Sequence, residues 1–166
     1  MSWLPYAIIG GLALLFGAFF RGAPYVPTHR RQVEAALDLL NLKAGSTVVD
    51  LGSGDGVFLK AAAKRGLAAY GYEINPVLCW VAKLRCWAFR TQVHVLWRDF
   101  WLTDFPEQTD AVFVFLNSLY MPKLHRRLVV EQKRLNKPLY VVSYGFTIPH
   151  KKLIKTAHGL NLYKYE

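Results

Sequence analysis

The sequence predicts an α/β fold in which a largely parallel sheet is covered by helices on both faces. Strand-like apolar runs alternate with helix-like segments over residues 47–144, which is the pattern of an open parallel sheet. A glycine-rich turn at residues 52–56 joins the first strand to the next helix. The chain has 166 residues. Roughly 145 of them follow an apolar front segment, enough for one packed core and too few for two.

The front segment is typical of a membrane-spanning helix. Residues 3–20 contain no charged side chain. As a helix they would extend about 27 Å, close to the bilayer hydrocarbon thickness of about 30 Å. Arginines follow at positions 21, 30 and 31, and no Lys or Arg precedes the segment. We therefore expect a single-pass protein with a transmembrane anchor at residues 1–21. The positive-inside rule then places the remaining domain on the cytoplasmic side, or the matrix side of a mitochondrial membrane.

Two other interpretations of this segment stay open. A cleaved signal peptide would carry a basic start and a small-residue cleavage site, and both features are weak here. A buried helix of a soluble domain would seldom contain 18 successive apolar residues.

Residues 22–28 are expected to form an extended connector between the anchor and the domain. Pro24 and Pro27 prevent a helix from continuing through this stretch. Thr28 is a suitable N-cap for a helix over residues 29–42. The domain is therefore predicted to occupy residues 29–166.

The remaining elements follow from hydrophobic periodicity and turn residues. Strands are predicted near residues 47–51, 69–73, 93–96, 111–116 and 139–144, and helices near residues 57–65, 76–89 and 122–135. The alternating tail at residues 160–165 is predicted to be a last strand at the edge of the sheet. Cys79 and Cys86 share one face of a predicted helix about 10 Å apart, too far for a disulfide, so they are expected to be buried thiols. No metal site is predicted.

The glycine-rich turn carries the strongest chemical signal. Dinucleotide-binding turns need G-x-G-x-x-G, but here the third glycine comes one position early and Val57 takes its place. Asp50, two residues before the first glycine, would repel a pyrophosphate and would accept a hydrogen bond from an ammonium group. S-adenosylmethionine has an ammonium, a sulfonium and no phosphate. The turn therefore predicts binding of this methyl donor by Asp50, Gly52, Ser53, Gly54 and Gly56.

Two later strand ends support the same cofactor. Glu73 ends the second predicted strand, where a carboxylate can accept hydrogen bonds from both ribose hydroxyls. After the third strand, Asp99 is placed to accept from the adenine amine and Phe100 to stack on its ring.

Three motifs together resemble a known family. PYVPT, DLGSGDG and GYEINP resemble class I, Rossmann-like methyltransferases. More closely, they resemble the membrane-anchored protein-lysine methyltransferases of the ATP synthase c subunit and the adenine nucleotide translocase, with their prokaryotic relatives. The resemblance implies that Asp50, Gly52 and Gly54 hold the methionine moiety, Glu73 the ribose and Asp99 the adenine. It also implies a lid formed by Pro24, Tyr25, Pro27 and Thr28. The chain is short after the fifth strand, so a shortened sheet domain lacking one usual helix is expected.

Methyl transfer is an in-line displacement that depends mainly on positioning and desolvation. A lysine acceptor must arrive neutral, and an apolar channel lowers the pKa of an amine. We expect Asn117 to accept from the attacking amine, and Trp101 and Tyr144 to wall an aromatic channel. The alternatives are that Asn117 caps a helix and that the two aromatic residues pack in the core.

The formal net charge of +10 favours an anionic partner. From residue 123 onward there are only two acidic residues but ten Lys and Arg residues. The basic residues are at positions 123, 126, 127, 133, 134, 137, 151, 152, 155 and 164. This basic stretch is interpreted as a solvated helix face or as a contact with anionic lipid, and nucleic acid is not expected. The sequence thus predicts methylation of a lysine in a membrane or membrane-associated protein. Methylation of a lipid or quinone-like molecule and a non-catalytic donor-binding adaptor remain alternatives.

Overall fold

The computed structural model describes Trp3, Pro5, Tyr6 and residues 29–166. Most of the predicted anchor at residues 1–21, the connector at 22–28 and the lid residues Pro24, Tyr25, Pro27 and Thr28 lie outside the described residues. None of the helices in the described ranges combines the length and apolar character that a bilayer crossing requires.

The described domain contains four helices and seven strands. The helices are α1 (Arg30–Leu40), α2 (Val57–Lys64), α3 (Pro76–Arg85) and α4 (Met121–Leu135). The strands are β1 (Thr47–Leu51), β2 (Ala68–Glu73), β3 (Val93–Trp97), β4 (Thr109–Val114), β5 (Leu139–Tyr144), β6 (Leu153–Ala157) and β7 (Leu160–Tyr165). The predicted α/β alternation from residue 47 to residue 144 is confirmed.

All seven strands form one sheet in the order β3-β2-β1-β4-β5-β7-β6. Strands β1 to β5 pair in parallel, whereas β7 is antiparallel to both β5 and β6. The prediction that residues 160–165 form an edge strand is wrong, because β7 lies between β5 and β6 and is almost wholly buried. The edge strand at this end of the sheet is β6, which is largely exposed and has no apolar alternation that would predict it.

A two-residue turn creates this antiparallel end of the sheet. His158 and Gly159 join β6 to β7 and both have positive φ, 53° and 77°, as a hairpin with a type I′ turn requires. Between β5 and β6, residues 145–152 contain no helix, which agrees with the expectation of one missing helix. The sheet itself is not shortened as expected, because β6 and β7 bring it to seven strands.

Two helix boundaries differ from the prediction. Helix α1 begins at Arg30 with His29 in the N-cap position, one residue later than predicted, and the predicted cap Thr28 lies outside the described residues. Helix α3 ends at Arg85 and is followed by a separate 3₁₀ turn at Trp87–Phe89. Its N-cap is Asn75, whose side chain accepts from the amides of Val77 and Leu78 at 2.9 and 3.3 Å.

The core lies on both faces of the sheet because successive residues of a strand point to opposite sides. On one face, α1, α2 and α3 pack on strand residues such as Val48, Phe113 and Val142. On the other face, α4 packs on Val49, Val112 and Val141, among others. Cys79 and Cys86 are both buried free thiols, as predicted.

Candidate active site

The strand order reverses direction between β1 and β4. The chain runs outward from β1 through β2 to β3 on one side, and from β4 to β5 on the other. At such a switch point the loops after the two central strands diverge and leave a crevice at the carboxyl ends of the strands. The turn at residues 52–56 follows β1 here, and residues 115–117 follow β4.

The glycine-rich turn is held in a left-handed conformation. Gly52, Gly54 and Gly56 have φ angles of +83°, +52° and +78°, which residues with a Cβ adopt only at a cost. The amides of Gly52 and Ser53 both donate to the Tyr72 carbonyl, at 2.9 and 3.0 Å. The turn is therefore fixed to the end of β2, with Gly52 exposed and Ser53, Gly54 and Gly56 buried.

Helix α3 also packs against this turn. A Cβ on Gly56 would lie 2.9 Å from the Ala82 Cβ, and the Cys86 thiol donates to the Gly56 carbonyl at 3.7 Å. Asp55 pairs with Arg85 at 2.6 Å. Neither Ala82 nor Arg85 was a predicted site residue. The sequence around Asp55 contains no signal that its partner is Arg85, 30 residues later.

Asp50 is a buried carboxyl group at the end of β1. Its backbone lies in register with Gly71 of β2 and Phe113 of β4, and only 4% of the residue is exposed. Burial, together with the nearby carboxylates of Glu73 and Asp55, raises the pKa of Asp50 well above its usual range. A ligand that brings a positive charge to this position would stabilise the ionised carboxylate.

Glu73 connects the end of β2 to the glycine turn. Its Oε2 accepts from the Gly54 amide and its Oε1 from the Asn75 amide, both at 2.8 Å. Each carboxylate oxygen has a second lone pair, so the group can accept two further hydrogen bonds from a ligand. The structure thus places Glu73 beside the glycine turn, where it also has a structural role.

Ser53 and Gly71 form a close contact behind the turn. A Cβ on Gly71 would lie 2.5 Å from Leu59 Cδ1 and 2.7 Å from Ser53 Oγ. The Ser53 hydroxyl is buried and has no hydrogen-bond partner within residues 29–166. The Ser53 side chain therefore packs toward β2, behind the turn. An isolated glycine in a strand is the sequence signal for such a close approach.

The loop after β3 carries the predicted adenine-binding residues. The Asp99 Oδ1 accepts from the Trp101 amide at 2.8 Å. Phe100 is half-buried, with its ring centre 4.7 Å from that of Trp101. The amide of Arg98 donates to the Glu73 carbonyl at 3.1 Å, which ties the start of this loop to the end of β2.

A buried glutamate and two arginines of α4 hold the far end of the same loop. Glu131 is completely buried and pairs with Arg127 and Arg134, each at 2.7 Å. Its Oε2 also accepts from the Phe105 amide at 3.2 Å. Arg127 donates to the Thr103 carbonyl at 2.7 Å, and Arg134 donates to the Phe105 carbonyl. We call Arg127, Glu131 and Arg134 the α4 ion cluster. The expectation of a purely solvated helix face does not hold for these residues.

Asn117 occupies a cap position after β4. Its side-chain oxygen accepts from the Leu119 amide at 3.0 Å and from the Ser118 hydroxyl at 3.2 Å. It thus caps the 3₁₀ turn Ser118–Tyr120, the alternative that the sequence left open.

Trp101 and Tyr144 do not share a wall. Tyr144 packs on the core side that contains α1 to α3, with its ring 4.7 Å from Phe115. Trp101 packs on the α4 side, with its ring 6.2 Å from Tyr120. The Lys123 ammonium lies 4.1 Å from the centre of the Trp101 ring. An alkylammonium contact of the expected kind is thus made by a lysine of the chain itself.

Two surface grooves lie away from this crevice. One of about 530 Å³ lies beside residues 40–46 and 137–140, and one of about 180 Å³ lies between α1 and β6. Neither contains a residue predicted to bind the donor.

Known proteins resemble this chain over most of the domain. The family model for the ANTKMT methyltransferase domain matches residues 50–155. The lysine N-methyltransferase of the ATP synthase c subunit from Xenopus laevis is 36% identical over 129 residues, which cover 76% of this chain and 55% of that protein. Adenine nucleotide translocase lysine N-methyltransferase of Mus musculus is 38% identical over 129 residues, covering 76% and 54%. The chain spans about half the length of these curated relatives.

Solved structures share the fold. An RNA methyltransferase of Salinibacter ruber in complex with S-adenosyl-L-homocysteine aligns with a TM-score of 0.70 and 25% identity, over 84% of this chain and 92% of that one. A SAM-dependent methyltransferase of Thiobacillus denitrificans aligns with a TM-score of 0.60 and 20% identity, over 80% and 56%. The fold is therefore a Rossmann-like methyltransferase fold, and the resemblance inferred from the sequence motifs is confirmed.

Proposed function

We propose that this chain, which belongs to the ANTKMT methyltransferase domain family, is a lysine methyltransferase. It transfers a methyl group from S-adenosylmethionine to a lysine of a membrane or membrane-associated protein. The observation that carries the proposal is the buried Asp50 carboxyl beside the left-handed glycine turn at the switch point. Two relatives are named for lysine N-methylation, one of the ATP synthase c subunit and one of adenine nucleotide translocase.

The chemistry of the site fits this donor. Asp50 lies close to two other carboxylates and would gain from a cationic ligand, and the donor carries both an ammonium and a sulfonium group. Glu73 keeps free lone pairs for ribose hydroxyls beyond its two backbone contacts. Asp99 and Phe100 lie on the adjoining loop, where they would contact the adenine. A pyrophosphate would instead face three carboxylates.

When bound, S-adenosylmethionine supplies a methyl group on a sulfonium leaving group. The residues of this chain hold and orient the reactants, which is sufficient for an in-line displacement. The turn at residues 52–56 supplies rigid backbone, since Tyr72 and α3 fix it from two sides. Apolar surroundings at the acceptor favour the neutral amine over the ammonium form.

The acceptor side is proposed to lie beyond β4. The Asn117 side-chain oxygen would accept from the attacking amine only if the Ser118 hydroxyl turned away from it, because both lone pairs are in use. Tyr144 and Trp101 would line opposite sides of the path by which the lysine acceptor approaches, since they pack on opposite faces of the sheet.

The domain is proposed to be held at a membrane by residues 1–21, on its cytoplasmic or matrix side. The support is the uncharged apolar run of residues 3–20, followed by arginines. The lid assigned to Pro24, Tyr25, Pro27 and Thr28 belongs to the same proposal and rests on the PYVPT motif.

The test is transfer of a tritiated methyl group from S-adenosylmethionine into isolated membranes by the wild-type chain and by Asp50→Asn. The variant keeps the size of the side chain and removes its charge. A matched control is Asp38→Asn, since Asp38 is exposed and pairs with Arg65 at the surface. We expect a labelled protein band that yields methyl-lysine on hydrolysis, is retained in Asp38→Asn and is lost in Asp50→Asn.

Other labelling patterns would identify a different function. Label confined to the lipid extract would mean a lipid or quinone-like acceptor, and label confined to RNA would mean a nucleic-acid acceptor. Donor binding by calorimetry without label in any fraction would favour a non-catalytic adaptor.

A further inference from the structure

One surface of the domain exposes three tryptophans. Trp80, Trp87 and Trp97 are 62%, 65% and 65% exposed. We define the tryptophan face as these residues together with their exposed apolar neighbours, Ile74, Val77 and Leu84. Exposed apolar patches of this kind mark interaction sites on soluble domains.

The tryptophan face follows α3 along its whole length. Val77, Trp80 and Leu84 are spaced i, i+3 and i+7, so they form one outward stripe. Cys79 and Ala82 on the opposite side of the helix are buried against the sheet. The stripe is about 10 Å long, which allows α3 to lie flat against an extended surface.

Both ends of the stripe are extended by further tryptophans. At the start of α3, the Trp97 indole N–H donates to the Ile74 carbonyl at 2.9 Å, which joins the β3 edge to the helix. Past the end of α3, Trp87 lies in the 3₁₀ turn and the Arg90 guanidinium lies 5.4 Å from its ring centre.

The chain segment that carries this face has charge of a single sign. No Asp or Glu occurs between Glu73 and Asp99, whereas Lys and Arg occur at positions 83, 85, 90 and 98. Arg85 pairs with Asp55 of the glycine turn. The other three cationic residues are exposed, and Lys83 lies on α3 beside the apolar stripe.

We propose that the tryptophan face docks on the headgroup region of an anionic lipid bilayer. Indole rings concentrate at the membrane–water interface, and Lys and Arg side chains near an anionic surface add electrostatic attraction while their apolar stems cover neighbouring surface. A neutral apolar partner would gain no electrostatic attraction from the three exposed cations of this segment. An anionic bilayer surface offers an apolar layer next to negative charge. The tryptophan face presents the complement, an apolar stripe next to exposed cations.

This proposal moves the lipid contact away from the basic C-terminal stretch. On α4, Arg127 and Arg134 are committed to Glu131, and Lys123 lies over Trp101. Helix α4 also packs on the opposite face of the sheet from α3. Its exposed cations, Arg126 and Lys133, therefore serve as a control of equal charge on the far side of the domain.

The experiment measures quenching of tryptophan emission by brominated lipid. The full chain with Trp3→Phe and Trp101→Phe, which keeps only the three tryptophans of the face, is reconstituted into vesicles of phosphatidylcholine and phosphatidylglycerol. The phosphatidylcholine is brominated near the headgroup. We expect most of the emission to be quenched in these vesicles, and much less in phosphatidylcholine alone or at high salt.

Charge removal tests whether this face is the one in contact. Each cation near an anionic surface strengthens the contact about five-fold, so Lys83→Gln with Arg90→Gln should weaken it about 25-fold. The quenching should then be largely lost. Arg126→Gln with Lys133→Gln removes the same charge from α4 and should leave the quenching unchanged.

Three results would overturn the proposal. Red, unquenched emission in anionic vesicles would mean that the face stays in water. Blue, unquenched emission would mean that protein covers it, either an acceptor protein, a second copy or another segment of this chain. Equal losses from the two charge-removal variants would mean that net charge, and not this face, is responsible. Methyl transfer to membranes is assayed separately, so failure here leaves the proposed activity untouched.

Discussion

Removing the charge of Glu131 should destabilise the domain and loosen the loop that follows β3. The side chain is completely buried between Arg127 and Arg134, each at 2.7 Å, and accepts from the Phe105 amide. In Glu131→Gln both guanidinium groups lose their common carboxylate. Breaking a fully buried pair costs about 3–5 kcal/mol. Because the two arginine side chains are 17% and 32% exposed, water offsets part of this loss, and we expect about 2–3 kcal/mol.

Urea unfolding of Glu131→Gln beside a matched surface variant measures this effect. Glu34 also pairs with an arginine, Arg65, but its side chain is 55% exposed. Glu34→Gln should therefore cost less than about 1 kcal/mol. Glu131→Gln should also weaken donor binding in calorimetry, because the α4 ion cluster anchors the loop that carries Asp99 and Phe100. Equal free energies of unfolding for the two variants would refute the reasoning.

Three further outcomes follow from the same contacts. Gly71→Ala should lower the free energy of unfolding by about 1–3 kcal/mol in urea, because the new Cβ would lie 2.5 Å from Leu59 Cδ1. Asp50→Asn should raise the melting temperature of the donor-free chain at pH 8, because the raised pKa of Asp50 means that its ionisation opposes folding as the pH increases. The difference in melting temperature between Asp50→Asn and the wild type should shrink as the pH falls toward the unfolded-state pKa of an aspartate, about 3.9. A difference that does not change with pH would contradict this explanation. Burial raises the pKa of Cys79 to about 11 and also raises that of Cys86, so iodoacetamide at pH 8 should alkylate neither thiol until urea is added, as read by mass spectrometry.

The glycine turn and the strand ends around it were predictable from sequence. A buried strand, three glycines and a following helix are consecutive in the chain, so their geometry depends on local φ preferences and hydrophobic period. Asp50 and Glu73 end adjacent parallel strands, and parallel strands share a carboxyl edge. Their approach to the same turn therefore needed no knowledge of distant packing.

The antiparallel end of the sheet was only partly predictable. Residues 160–165 have a clear strand pattern, but their interior position depends on β6, whose residues are exposed and lack an apolar alternation. The sign that was missed is His158–Gly159, whose left-handed φ values close the hairpin.

Local pattern in this chain is enough to define a parallel α/β domain, its glycine turn and the carboxylates at its strand ends, because each depends on neighbours in sequence. It does not reveal that Arg127 and Arg134 turn inward to Glu131, since a helix of the same composition could equally face water. Nor does it reveal that Trp101 and Tyr144 pack on opposite faces of the sheet. Those arrangements depend on which surfaces α4 and the loop after β3 bury against each other, and that is set by the free energy of the whole packed domain.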